Sequence, residues 1–381
     1  MNPIYWDYNA TTPPDPRVRQ AMEPFSDQLW GNPSSVHSVG RRARAALDEF
    51  RYRLAGVWRC KPSEVIFTSG GTESNNLAVL GAARLGKSQG RCHLVASPVE
   101  HHAVLHAFKY LESQEGFTLT LLPVDHHGRV SAETVAAALR SDTALVSVMT
   151  ANNETGTIQP VAEIGRLCRQ QGVTFHTDAV QSFGKLPFES VHQFEADLVS
   201  VCAHKFHGPK GAGALFIRSP LLPHPTQHGG AQENERRGGT ENLTAVAGLV
   251  TAFECFVPQP VFPADPLRAW TERLGRAVTS LPGVERHGCP ENRLSNTLAF
   301  SVEGTDSISL LANLDLEGVC ASSGSACTAG SVEPSHVLRA MGVPESRAKA
   351  LVRFSLGRES TEDEVTRVER LLPALIARCR G

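Results

Sequence analysis

The stretch Ala203-His204-Lys205-Phe206-His207-Gly208-Pro209-Lys210-Gly211 decides the fold, together with the apolar run Leu198 to Cys202 before it. That run is short and rich in valine, which is typical of a buried strand. The glycine-rich segment that follows is typical of a loop. A lysine after a strand is usually a solvated surface charge, so Lys205 gains meaning only from the residues around it.

A second strand-like run, Val173 to Thr177, is followed directly by Asp178 and then by Gln181. An amine on one loop and a carboxylate on a neighbouring one form the pair that pyridoxal 5′-phosphate enzymes require. The amine forms a Schiff base with the cofactor, and the carboxylate keeps the pyridine nitrogen protonated so that the ring can accept electrons. The sequence therefore predicts a pyridoxal phosphate site built on Lys205 and Asp178.

Length and composition indicate an ordinary soluble enzyme. The 381 residues suffice for one large domain and a smaller one, and 37 basic against 39 acidic residues favour neither nucleic acid nor a membrane surface as a partner. No apolar run reaches the length of a membrane span, and no signal peptide is predicted. Nine cysteines without a framework spacing are typical of reduced thiols, so we expect a cytoplasmic protein.

Strand-like runs alternate with helical patterns over the first two thirds of the chain, which predicts an α/β domain around a mostly parallel sheet. A Pro-rich connection at 256–260 marks a boundary between a large cofactor-binding domain, 16–256, and a small α+β domain, 257–381. The segment 1–15 is predicted to pack with the small domain. Strands are predicted at 65–68, 93–97, 118–123, 144–149, 173–177, 198–202, 214–217 and 296–302, and helices at 73–85, 132–139, 162–171 and 362–378.

Two glycine-containing segments are candidates for phosphate binding. Ser69 to Asn76 follows a predicted strand and opens a predicted helix, so its backbone N–H groups and the positive helix end can stabilise an anion. A glycine-rich turn that only caps the helix is an equal alternative for this segment. Gly81 to Ser88 satisfies the Walker A pattern, but it comes off a helix, whereas a P-loop leaves a strand. We interpret the second match as accidental.

Together these residues carry a resemblance that runs almost end to end. The chain resembles cysteine desulfurases of the NifS/IscS type, within the class V aminotransferases of pyridoxal phosphate fold type I. The motifs that carry it are Asp7-Tyr8-Asn9-Ala10-Thr11-Thr12, Gly31-Asn32-Pro33-Ser34-Ser35, Glu100-His101-His102-Ala103-Val104, Asn152-Asn153-Glu154-Thr155-Gly156, Asp178-Ala179-Val180-Gln181, His204-Lys205, Arg237-Gly238-Gly239-Thr240-Glu241-Asn242 and Ser322-Ser323-Gly324-Ser325-Ala326-Cys327.

The resemblance implies roles for the cofactor-binding residues. Lys205 would carry the Schiff base, Asp178 would pair with the pyridine nitrogen, and His101 would stack on the ring. Asn153 and Gln181 would hydrogen-bond on the side of the phenolic oxygen. The phosphate would be held by Gly71, Thr72, His204 and Thr240. Of these, Thr240 would reach across from the second subunit of a homodimer.

For the substrate, the resemblance implies that Arg353 binds the carboxylate of L-cysteine, assisted by Asn32. The Lys205 amine would remove the α-proton, and His101 would exchange a proton with the substrate thiol. Cys327, in a small, polar loop expected to be mobile, would take the sulfur as a persulfide and release L-alanine. The sulfur would pass to an acceptor such as an iron–sulfur scaffold protein, and Cys327 is also a candidate ligand for a transient cluster.

One position departs from the family pattern. Cys202 stands where relatives carry serine, and a thiol is a much weaker hydrogen-bond donor than a hydroxyl. We expect a modest loss of cofactor affinity without loss of activity.

Three alternatives remain open from the sequence. An aminotransferase or a selenocysteine lyase would use the same cofactor geometry, and a non-catalytic scaffold would have no use for Lys205, Asp178 and Cys327 together.

Overall fold

The structure, a computed structural model, describes residues 3–324 and 333–380. Its strands and helices alternate through most of the chain. The strands are β1 (Ile4–Tyr5), β2 (Val65–Thr68), β3 (His93–Ala96), β4 (Thr118–Leu121), β5 (Thr143–Ser147), β6 (Thr174–Asp178), β7 (Leu198–Cys202), β8 (Gly213–Ile217), β9 (Val284–His287), β10 (Thr297–Val302), β11 (Val319–Cys320) and β12 (Leu351–Ser355).

Helices cover the faces of the sheets. The four helices predicted from the sequence are present, and their observed ends differ from the predicted ends by a few residues. They are α1 (Pro16–Asp27), α2 (Ser38–Trp58), α3 (Gly71–Ser88), α4 (His102–Glu115), α5 (Ala132–Ala138), α6 (Val161–Gln170), α7 (Leu243–Phe256), α8 (Ala264–Thr279), α9 (Ser307–Leu316), α10 (His336–Ala340), α11 (Glu345–Ala348) and α12 (Glu362–Arg380).

The large sheet has seven strands in the order β2-β8-β7-β6-β5-β3-β4. The neighbours from β7 to β4 pair in parallel, whereas β8 runs antiparallel to both β7 and β2. A parallel crossover needs a dozen or more residues, and the short connection between Cys202 and Gly213 leaves no room for one. The mostly parallel α/β sheet predicted from the sequence is confirmed.

Two segments differ from their prediction in detail. The helix after β2 begins at Gly71, two residues before the predicted start, and continues to Ser88. The Walker-like segment from Gly81 to Ser88 therefore lies inside one continuous helix and forms no phosphate loop. Lys205 ends a single 3-10 turn, Ala203–Lys205, where the sequence predicted the start of a loop.

The smaller sheet is antiparallel, in the order β12-β10-β9, and the N-terminal segment packs beside it. Strand β1 pairs in parallel with β11. The Trp6 ring is fully buried and contacts Phe354 edge to face, with 5.3 Å between centroids. Within the described residues, helix length and apolarity together are insufficient for any helix to cross a membrane.

A buried ion pair fixes the segment that precedes the Arg237–Asn242 motif. The Glu233 carboxylate accepts hydrogen bonds from the Arg51 guanidinium at 2.6 and 2.7 Å and from the Phe67 backbone N–H at 2.9 Å. Glu233, Asn234 and Glu235 all have positive φ, from 49° to 63°. Each such non-glycine residue costs about 1 kcal/mol or more, so the buried pair must hold this strained turn in place.

We predict that Glu233→Ala lowers the free energy of unfolding by about 3–5 kcal/mol, because the Arg51 charge would stay buried without a partner. Urea titration of protein saturated with pyridoxal phosphate, the predicted cofactor, measures the change. Glu254→Ala breaks the solvent-exposed pair with Arg53 and is the matched control, expected to cost less than about 1 kcal/mol. Equal losses in the two variants would contradict the role given to the buried pair.

Candidate active site

A cavity of about 280 Å³ opens at the carboxyl ends of the parallel strands, the edge at which open α/β sheets bind ligands. Asp178 ends β6, Cys202 ends β7, and Lys205 follows it after one turn. The walls come from the ends of strands of the large sheet and the segments that follow them, the start of α3, the N-terminal segment and strand β12 of the smaller sheet. They consist of Asn9, Ala10, Gly71, Thr72, Asn75, His101, Met149, Asn153, Asp178, Val180, Gln181, Cys202, His204, Lys205 and Arg353.

The Asp178 carboxylate is buried and held by two donors. The Asn75 amide donates to Oδ2 at 2.7 Å, and the Val180 backbone N–H donates to Oδ1 at 2.9 Å. Donors of this kind stabilise the ionised form of a carboxylate. Burial, with the negative charge of Asp178 nearby, raises the pKa of Glu100 well above its usual value. The Asp178 carboxylate is thus held in a fixed orientation at the end of β6.

The Lys205 amine points into the same cavity. Its Nζ donates to the backbone carbonyls of Asn9 at 2.7 Å and Ala10 at 2.8 Å. Burial lowers the pKa of Lys205, and the positive charge of Arg353 acts in the same direction. A lysine that loses its proton more readily is a better nucleophile toward a carbonyl group, which is what Schiff-base chemistry demands.

His101 caps helix α4 and faces the cavity. Its Nδ1 accepts a hydrogen bond from the Ala103 backbone N–H at 3.1 Å, so the neutral ring carries its hydrogen on Nε2. Burial lowers the pKa of His101, although the Asp178 carboxylate acts in the opposite direction. The next residue, His102, is half-buried, because its ring stacks on that of His106 with 4.9 Å between centroids and lies 4.5 Å from that of His336.

The start of helix α3 is built to receive an anion. The cap residue is Gly70, and no side chain among the described residues caps its free N–H groups. A Cβ at Gly71 would come within 2.9 Å of Val180, so glycine keeps this end open. The His204 ring lies nearby with its Nδ1 3.2 Å from the Thr11 hydroxyl, and burial lowers the pKa of His204 to about 4.

These three features fit the predicted cofactor. Pyridoxal phosphate carries an aldehyde, a ring nitrogen and a phosphate, and the cavity offers an amine, a buried carboxylate and an open helix N-terminus for them. The fit rests on side chains from separate elements that share one cavity, so it does not depend on any single motif.

Two predicted site residues, Thr240 and Asn32, lie apart from this cavity. Thr240 lines a different depression beside Arg237 and Ser69. Asn32 is exposed, and its side-chain oxygen accepts from the Ser34 backbone N–H at 2.8 Å. Cys327, with its proposed sulfur and cluster-ligand roles, lies outside the described residues.

The structure adds residues to which the sequence analysis gave no role. Asn9 and Ala10 receive the Lys205 amine, Asn75 holds Asp178, and Lys185 contacts Gln181 from behind. Asn75 was within reach of sequence reasoning, because it follows Gly71 by four residues on a helix and so shares its face. The others depend on contacts between distant segments.

Comparison with known proteins assigns the chain to a family. The model for aminotransferase class-V matches residues 4–368. The chain belongs to the class-V aminotransferase family. The cofactor and fold type predicted from the sequence are confirmed by this membership.

Relatives within the family match over their whole length. The cysteine desulfurase IscS of Dictyoglomus turgidum is 43% identical over 99% of this chain and 95% of the relative. The IscS of Methanosarcina thermophila is 42% identical over 99% and 93%. A NifS-like protein of known structure has a TM-score of 0.90 at 36% identity, covering 98% of this chain and 99% of that one. SspA in complex with cysteine has a TM-score of 0.81 at 35% identity, covering 94% and 100%.

Cys202 lines the cavity at a position where the family resemblance predicts serine. Its side chain is fully buried near the start of α3, and burial raises the pKa of the thiol to about 11, which keeps it neutral at neutral pH. A neutral thiol offers only a weak donor to an anion at this position.

We predict that Cys202→Ser lowers the dissociation constant for pyridoxal phosphate about fivefold, since a hydroxyl donor adds on the order of 1 kcal/mol. Titration of apo-protein with the cofactor, followed by absorbance, measures the change. Cys168→Ser, at a buried thiol on α6, is the control and should leave the constant unchanged. Weaker cofactor binding by the Cys202→Ser protein would show that the thiol itself is the better partner.

Proposed function

We propose that this protein is a cysteine desulfurase. L-cysteine and the Cys327 thiol are converted to L-alanine and a Cys327 persulfide, so the substrate C–S bond breaks as the S–S bond forms. The observation that carries the proposal is the amine–carboxylate cavity in a chain that is 43% identical, over nearly its full length, to a protein named cysteine desulfurase IscS. The structural likeness to SspA in complex with cysteine supports the substrate.

Each cavity residue has a separate role toward the cofactor or the substrate. The cofactor, when bound, supplies an electron sink for the substrate's α-carbon. Lys205 would hold the cofactor through its side-chain amine, and the same amine would take the α-proton of the substrate. The Asp178 carboxylate, oriented by its two hydrogen-bond donors, would pair with the ring nitrogen. Asn153 and Gln181 hydrogen-bond on the phenolic side, and His101 stacks on the ring.

The phosphate is held at the open end of α3 by Gly71 and Thr72, with His204 beside them. Thr240 contributes from the second subunit of a homodimer. Two observations support this assignment: Thr240 lies outside its own chain's cavity, and the neighbouring Arg237 is anchored by a 2.7 Å ion pair to Glu73 on α3. This ion pair fixes the loop that carries Thr240 against α3.

Arg353 binds the substrate carboxylate, and the assisting role of Asn32 stays a prediction, because Asn32 lies apart from the cavity of its own chain. The Arg353 guanidinium is almost fully buried, donates to Asp7 at 2.6 Å and to the Asn153 carbonyl at 2.8 Å, and has an Nε without a partner among the described residues. A buried, incompletely satisfied guanidinium is suited to bidentate recognition of a carboxylate.

The persulfide on Cys327 then passes to an acceptor such as an iron–sulfur scaffold protein, and Cys327 can serve as a ligand to the cluster during transfer. A cytoplasmic location suits this chemistry, because the eight cysteines that the structure describes are all free thiols. We also propose the division into a large cofactor domain, 16–256, and a small domain, 257–381, that carries Cys327 and packs with segment 1–15. The separate apolar clusters around the two sheets support it.

We predict that Cys327→Ser loses at least 100-fold in sulfide and alanine release from L-cysteine, while the visible band of the bound cofactor persists, because the nucleophile is lost and the cofactor site is not. The assay uses purified protein with a reductant, and wild type should give equal amounts of the two products. Cys379→Ser is the thiol control and should retain activity.

The outcomes separate the alternatives. Undiminished activity of Cys327→Ser protein would indicate a lyase that needs no persulfide. Strong preference for selenocysteine over cysteine would indicate a selenocysteine lyase, and amino transfer to a keto acid would indicate an aminotransferase. Protein that never binds the cofactor would be a scaffold.

A second prediction concerns pH. Because burial lowers the pKa of His101, the ring is neutral at neutral pH and gains a proton only below its ordinary range. We predict that kcat/KM of wild type falls as the pH drops through that lower pKa. His101→Gln should lower kcat/KM by about 10²–10⁴-fold and abolish this acid limb. An acid limb that persists in the variant would assign the ionisation to another group.

A further inference from the structure

Lys185 is a buried lysine that lies behind the cavity wall and does not line it. It follows Gln181 by four residues in the turns after β6, and only a small part of its surface is exposed. Its Nζ donates to two oxygens: the side-chain carbonyl of Asn9 at 2.7 Å and the side-chain carbonyl of Gln181 at 2.5 Å. The ring of Phe262 lies 5.2 Å away.

These contacts decide which end of the Gln181 amide faces the cavity. A glutamine side chain has one acceptor end and one donor end, and the two can exchange by rotation about χ3. Lys185 occupies the Oε1 end. The Nε2 end donates one hydrogen to the Asn9 backbone carbonyl at 3.0 Å and keeps its second hydrogen. Since Gln181 lines the cavity, the group available there is a donor.

We propose that Lys185 is a positioning residue that locks the Gln181 amide with its N–H toward the phenolic oxygen of the bound cofactor. The inference rests on the contact of Gln181 assigned under the proposed function. That oxygen is negatively charged or accepts hydrogen bonds, so it gains from a donor and would be opposed by the amide oxygen. Rotation of the amide would turn its oxygen toward the Asn9 carbonyl and the phenolic oxygen, which are both acceptors, and its N–H groups toward the donating Lys185 amine.

The burial of Lys185 fits this role. Removing a charged amine from water is costly, and a neutral amine has two N–H groups, the same number as the oxygens it contacts. Burial, with the positive charges of Lys205 and Arg353, lowers the pKa of Lys185 well below its usual value. The amine can therefore satisfy both partners without a buried counter-charge.

A purely structural role is the alternative that a test must separate. The Asn9 side chain also accepts from Asn296 at 3.1 Å and donates to Thr297 at 2.9 Å, so Lys185 also supports the N-terminal segment. Loss of stability alone would therefore not identify the positioning role. A double-mutant cycle with Gln181 does, because only a residue that acts through Gln181 loses its effect when that side chain is gone.

The experiment compares Lys185→Met, Gln181→Met and the double variant, with Lys109→Met as an exposed lysine control on α4. Two quantities are measured: the dissociation constant of pyridoxal phosphate for apo-protein, and the pH at which the visible band of the loaded protein changes. We expect each single variant to raise the dissociation constant roughly tenfold and to move the pH midpoint upward, because the negatively charged oxygen loses a donor. The double variant should equal Gln181→Met alone.

Independent effects, with fold-changes that multiply in the double variant, would overturn the proposal. So would a Lys185→Met protein with wild-type affinity and midpoint. If Lys185→Met does not fold, as judged by urea unfolding of the apo-protein, the same cycle is run with Lys185→Gln, whose side chain is one bond shorter and remains polar. The release of alanine and sulfide by wild-type protein is assayed in parallel. If the wild type is active and the double-mutant cycle shows independent effects, only the role of Lys185 is rejected and the proposed function stands.

Discussion

The active site depends on the position of Asn9, a residue of the N-terminal segment that reaches the strand ends of the large sheet. Its backbone carbonyl accepts from Lys205 and Gln181, and its side chain contacts Lys185, Asn296 and Thr297. It therefore joins the large sheet to the smaller one at the cavity. The anchoring of the segment by the buried Trp6 beside Phe354 gives this contact its precision, because a side chain near a chain end would otherwise be poorly held.

The two ionisable groups that face the cofactor, Lys205 and Asp178, are largely buried, and they are held by neutral hydrogen-bond partners and not by each other. Lys205 donates to neutral carbonyls, and Asp178 accepts from an amide and a backbone N–H. The amine and the carboxylate thus have separate partners and do not neutralise each other as an ion pair. Such an arrangement leaves the amine free to react and the carboxylate free to bind a protonated ring nitrogen. A direct ion pair would lower the reactivity of both groups.

Sequence reasoning reached the elements whose signal is local. The run Leu198 to Cys202 and the glycines before α3 predicted a strand end and an open helix start, and family motifs predicted most of the cavity lining. The sequence prediction did not include the antiparallel direction of β8, although the connection between Cys202 and Gly213 is too short for a parallel crossover and therefore indicates it. The contacts of Lys185 and Asn9 could not be predicted, because they join segments about 180 residues apart. Only the packed structure brings these side chains together.

Anion binding and proton uptake are linked in this cavity. Burial lowers the pKa values of Lys205, Lys185, His101 and His204, because the charged form of each costs more in the interior than in water. A phosphate at the start of α3 and a carboxylate at Arg353 would each bring negative charge into the same low-dielectric space. An opposite charge raises the pKa of a lysine or histidine, and by linkage each proton taken up strengthens anion binding. Buried amines and imidazoles at and behind the cavity wall can therefore take up protons as the charged cofactor and substrate bind.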